Sequence, residues 1–244
     1  VGQRLGYKFW LRKKAFVMPQ KGTLTRARLK TPQAAAVAGI IFSILLLLMF
    51  WLFRTAVPAD PLEQGAWLTS NANTAAVALH LVPFAGVAFL WFIGVLRDRL
   101  GELEDRFFAT VFFGSALLFV ATLFIAAAVI GAVILVASSA ASNELINTTT
   151  FRFARAAAYI VVNVYAIKMA GVFMISTSTV VIYTGIAPRW IAILGYVLAL
   201  ILLIGSYYIS WSVVVLPIWV FLISIHLLID KSRNLKPSTL ANPK

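Results

Sequence analysis

The chain has 244 residues, of which 61% are hydrophobic and only 12% charged, against roughly 45–50% and 25% in soluble domains. Its apolar excess lies in long runs, which excludes an ordinary soluble core and predicts an all-α, polytopic transmembrane helical bundle. The net charge of +13, from 21 Lys and Arg against 8 Asp and Glu, flanks those runs and so speaks for topology signalling and anionic lipid rather than nucleic acid, while the absence of cysteine removes disulfides, thiol nucleophiles and Cys-based metal sites.

Residues 1–31 carry nine bases and no acid, interleaved with Tyr7, Phe9, Trp10, Leu11, Phe16 and Val17. Two readings stand: an amphipathic segment lying in the headgroups, with Lys8, Trp10, Arg12, Lys13 and Lys14 as lipid contacts, or a tail that only marks the cytoplasmic side. The polar and basic stretch does not read as a cleavable signal, so the first span is expected to insert the protein. Residues 32–230 read as one transmembrane domain. Pro32 suits the first turn of a helix, and residues 34–53 form the first span. A loop rich in Pro, Asp, Gly and Asn follows over 54–74. The second span covers 75–96, with a kink expected at Pro83.

A mixed-charge connection then leads into 107–141, which exceeds the roughly 30 Å bilayer core at 1.5 Å per residue. It reads either as one long helix, with its span at 107–137, or as a span plus a partly buried extension. The polar run 142–150 marks a loop, and the fourth span takes 156–183. After a turn at 184–189, the fifth span covers 190–204. The sixth covers 212–229, with a bend expected at Pro217. The tail 231–244 reads as polar and disordered.

With both termini cytoplasmic, six spans place 17 of the 21 Lys and Arg on the inner side. That is the asymmetry the positive-inside rule demands. Trp51, Trp91, Trp190 and Trp211 fall near span ends, where aromatic belts form, and Arg189 and Trp190 read as an inner-interface anchor. No internal repeat is evident.

Lys168 is the one ionisable residue deep in an expected span, and no Asp or Glu shares the span interiors. Burying it there costs about 2.5–3.5 kcal/mol on insertion scales. Helical spacing places Tyr165 and Thr179 on its face, with Ser176 in the hydroxyl run just beyond. These four residues define a candidate polar cavity or ligand site. The alternative is a lysine that snorkels, or that bonds to backbone carbonyls and hydroxyls. His80 and His226 fall in opposite leaflets, so they do not clamp a haem within one chain. His226 is placed to pair with Asp230 four residues on. No metal site, cofactor or catalytic motif of the HExxH, GxSxG or Walker type is found.

The run Tyr183-Thr184-Gly185-Ile186-Ala187-Pro188-Arg189-Trp190, with Leu194-Gly195-Tyr196 beyond it, resembles a turn in uncharacterised bacterial six-span membrane proteins. In those proteins a Thr-Gly-x-x-Pro-Arg-Trp corner joins two late helices. Leu81-Val82-Pro83-Phe84 is similar in flavour. The resemblance implies a bacterial plasma (inner) membrane setting and imports no activity.

Three function classes follow. The expected one is a non-catalytic integral membrane protein, a homo-oligomer or an accessory subunit of a membrane complex, resting on anionic lipid at the cytoplasmic face and binding no nucleic acid. The alternative is a small transporter or channel for an anionic solute or lipid through a Lys168-lined cavity. Third comes a membrane-embedded enzyme, whose acids would have to come from loop residues such as Asp60, Glu63, Glu144, Asp98 or Glu102.

Overall fold

Apolar runs of this length leave their backbone no water to bond with, so each closes its hydrogen bonds along its own axis as a helix. The computed structural model describes residues 31–63, 65–100, 106–138, 148–185, 187–205 and 211–234. All the regular elements among them are helical. In chain order they are α1 (Thr31–Ala56), a single turn α2 (Trp67–Ser70), α3 (Ala72–Leu100), α4 (Arg106–Ala137), α5 (Thr149–Thr184) and α6 (Arg189–Gly205). A 3-10 turn, Ser212–Val214, then leads into α7 (Val215–Asn234).

Five of these helices are long and apolar enough to cross a membrane, and α6 is a shorter apolar helix of 17 residues. The large side chains turned outward are the ones a bilayer would receive. Ile41, Ile44 and Trp51 on α1, Phe84 and Trp91 on α3, Ile125 on α4, and Val197 and Ile204 on α6 are all exposed. Soluble monomers rarely leave a contiguous apolar surface of that extent.

Inside, aromatic rings fill the space between α1, α3, α4 and α5. Phe89 lies 4.4 Å from Phe42, 5.5 Å from Phe119 and 5.1 Å from Phe173 by ring centroids, and Phe173 reaches Phe112 at 5.2 Å. The tilted and edge-on pairs are those that aromatic quadrupoles favour. At the other side of α5, helix α6 approaches through Gly195. A Cβ at that position would stand 2.2 Å from Ser178 Oγ and 2.6 Å from the Trp219 ring. Trp219 is fully buried and donates its indole N–H to the Ile191 carbonyl at 3.2 Å.

The span expected at 107–137 is one helix, Arg106–Ala137, while 139–141 lie outside the described residues. One expected boundary changes. The fourth span begins earlier than position 156: Thr148 accepts from the Phe151 amide at 3.3 Å and caps a helix starting at Thr149, as a threonine at this position does. Arg152 and Arg155 are therefore helical. Pro83 lies inside α3. Pro217 lies in the first turn of α7, where a missing N–H has little cost. The turn after α5 forms as its sequence suggests. Gly185 takes φ +63° and its N–H bonds the Val181 carbonyl at 3.0 Å, which is the left-handed cap that glycine allows.

The interfacial segment with Lys8, Trp10, Arg12, Lys13 and Lys14 lies outside the described residues, as do the connection 101–105 and the tail from 235. The His226–Asp230 pairing rests on an undescribed side chain.

Candidate functional site

Lys168 stands 16 residues before Thr184, about 24 Å along α5 at 1.5 Å per residue. Helix α6 covers the same distance from Arg189 to Gly205. The lysine thus meets the last described turn of α6. Its ammonium donates to the carbonyls of Leu203 and Leu202, the latter at 3.4 Å. A cation at a helix C-terminus also meets the negative end of the dipole. Lys168 lies near the middle of α5, 19 residues after Thr149 and 16 before Thr184.

The three companions read from the sequence do not gather around it. Tyr165 faces outward and is 58% exposed. Ser176 returns its hydroxyl to the Val172 carbonyl at 3.0 Å. Thr179 bonds the Ile175 carbonyl at 3.0 Å and pairs with the Tyr196 hydroxyl at 2.7 Å, tying α5 to α6. Thr177 and Thr184 likewise bond carbonyls four residues back. These hydroxyls serve the helices, as Ser and Thr do in apolar surroundings. Arg189 and Trp190 are both exposed at the start of α6. His80 is exposed on α3 and His226 half-buried on α7. Among the described residues no three His, Asp or Glu gather into a metal-binding group.

Sequence reasoning missed Arg155. It is 4% exposed, and its guanidinium donates to the carbonyls of Glu63 at 2.8 Å, Asp60 at 2.9 Å and Pro58 at 3.1 Å. The Trp67 and Phe151 rings flank it, each centroid 5.9 Å from the guanidinium carbon. One planar fork thus gathers a loop more than 90 residues away onto the first turns of α5, a task suited to arginine. The loop braces itself too: Asp60 accepts from the Leu62 amide at 2.8 Å.

Just past Arg155, residues Val161–Ala166 form a π-helical stretch inside α5. Such stretches frequently mark functional sites. Beside it opens a cavity of about 610 Å³ between α1, α4, α5 and the 3-10 turn, with Arg54, Arg155, Tyr159, Asn163 and Trp211 among its lining residues. That size lies within the roughly 300–1,000 Å³ of small-ligand sites. Lys168, Tyr165, Ser176 and Thr179 do not line it.

Fold and site together define a class: an all-helical bundle with five helices fit to cross a bilayer, one short apolar helix, and a cavity at the end opposite the Gly185 turn. No family model, curated protein or solved structure matches the chain.

Proposed function

We propose that this protein is a non-catalytic integral membrane protein, a self-associating or accessory subunit of a complex in the bacterial plasma membrane. It crosses the bilayer six times with both ends in the cytoplasm. Counting α6 as a crossing keeps 17 of the 21 Lys and Arg on the inner side. Its length of about 25 Å falls short of the roughly 30 Å core by an amount that local thinning accommodates.

The observation that carries the subunit reading is where the polar groups of the spans go. Lys168 caps α6, and Ser43, Ser115, Ser176 and Thr177 bond carbonyls of their own helices. Chemistry on a substrate needs groups aimed at a common point. Here the partnered ones hold helices, and the outward apolar faces are what the bundle offers to lipid and neighbouring helices.

Native mass spectrometry of the tagged protein released from nanodiscs tests this. Stoichiometric foreign subunits, or a defined homo-oligomer, are the expected result; a bare monomer under gentle release would overturn it. A second reading, a small transporter or channel for an anionic solute or lipid, is favoured by the π stretch that ends two residues before Lys168. Flux assays on Lys168→Met separate the two. Lost flux with intact folding supports transport, whereas altered assembly or no change supports the subunit.

A further inference from the structure

The cavity lies among helices of unequal described length. Helices α4 and α5 contain 32 and 36 residues, so they reach about 48 and 54 Å, while α6 reaches only about 25 Å. Trp211 and the 3-10 turn lead into α7, and Val213, Val214 and Ile218 line the cavity from there. Helices α1, α3, α4 and α5, with the loop at 58–61, supply the remaining walls, Leu47, Leu79, Leu123 and Val162 among them.

Three features describe the occupant this space suits. The walls are mostly aliphatic, so they receive hydrocarbon. The exposed aromatic residues Trp51, Tyr159 and Trp211 belong to the lining, and Trp and Tyr concentrate where a bilayer meets water. The charged lining residues are Arg54 and Arg155, and among the described residues no carboxylate belongs to the lining itself. Arg155 already serves three carbonyls, and Asp60 and Glu63 on the loop that it gathers offset its charge. Arg54, exposed in the last turn of α1, has no ion-pair partner among the described residues. Ser212, 2% exposed, has no hydroxyl partner among the described residues and lines a small void that shares Phe50, Leu123, Val162 and Val213 with the cavity.

We propose that this cavity is a binding site for one acidic phospholipid of the surrounding bilayer. Its acyl chain lies between α1, α4 and α5, and its phosphate meets Arg54 at the aromatic rim. The site is distinct from the basic cytoplasmic face, and it goes beyond the subunit reading: that reading is tested by protein masses, this one by a lipid mass, so either can fail alone.

The experiment is native mass spectrometry of the full chain in detergent, titrated separately with phosphatidylglycerol, phosphatidylcholine and oleate. One phosphatidylglycerol is expected to bind per chain, about tenfold more tightly than phosphatidylcholine, the factor produced by about 1.4 kcal/mol of charge-assisted contact. Arg54→Gln, at an exposed position that leaves packing untouched, is expected to erase that preference. Ala127→Trp, which fills the cavity, is expected to remove binding of both phospholipids. Equal binding of the two phospholipids by the wild type would overturn the proposal. So would an unchanged preference in Arg54→Gln, binding of oleate alone, or a protein partner whose presence excludes lipid. Should Ala127→Trp fail to fold, the Arg54→Gln comparison decides.

Discussion

A guanidinium withdrawn from water stays charged where acceptors replace the water, and Arg155 finds three on the backbone of one loop. Truncation strands those carbonyls beside the Trp67 and Phe151 rings, and each unmet buried polar group costs about 1–3 kcal/mol. Arg155→Met is expected to lower the thermal midpoint in detergent and to open the 57–66 loop to limited proteolysis. Arg155→Lys should recover only part of both, because one ammonium does not span the fork. An unchanged midpoint and unchanged cleavage in the methionine variant would show that the clamp is idle. A glycine offers the matching test of packing. Gly195→Ala drives a methyl against Ser178 and Trp219, and overpacking of that kind costs about 1–3 kcal/mol. At Gly94 on α3 a Cβ meets nothing within 4 Å, so Gly94→Ala should be neutral or stabilising by about 0.5–1 kcal/mol. Equal midpoints for the two variants would contradict the close approach of α6.

Among the elements, α5 is unusual because its hydrogen-bond ladder changes register over Val161–Ala166. A π turn accommodates one residue more than an α turn. Deleting Asn163 should therefore let α5 close as a plain α-helix with Arg155 and Lys168 still on their faces. Deleting Ser176 from the regular part instead rotates one half of α5 by about 100° against the other, pulling Thr179 off Tyr196 or Lys168 off the end of α6. Yield of monodisperse protein on size exclusion checks the contrast, which fails if both deletions behave alike. The helices themselves were legible in the sequence, because a bilayer-length apolar run has few alternatives. Their ends were less so. The polar run before Phe151 reads as loop, yet Thr148 turns its last residues into a capped helix start, and that carries Arg155 inside. Arg155 gave no sequence signal because its partners are carbonyls, which any residue supplies, on a loop far away in the chain. The π stretch and the cavity arise from register and tertiary packing, which composition does not encode. Lys168 drew notice for its depth, and the carbonyl partners open to it as an alternative are the ones it meets, because the last described turn of α6 lies at its level.

At the scale of the whole molecule, the bundle has two different ends. One end carries the Gly185 turn, the exposed pair Arg189 and Trp190, and the short path into α6. The other carries the Arg155-gathered loop and the cavity rim. The six crossings proposed above would put the Gly185 end in the cytoplasm, and the chain suits a direct test because it contains no native cysteine. Leu62 on the gathered loop and Tyr183 beside the Gly185 turn are 62% and 81% exposed, so a cysteine at either should react without disturbing the core. In intact cells a membrane-impermeant maleimide is expected to label Leu62→Cys and to spare Tyr183→Cys until the membrane is permeabilised. The reverse pattern would invert the molecule, placing its basic side outside against the positive-inside rule. Labelling of both in intact cells would mean that α5 does not separate them by a bilayer. Either result would also move the cavity: inverted, its rim would open to the inner leaflet, and the lipid that meets Arg54 would be drawn from there.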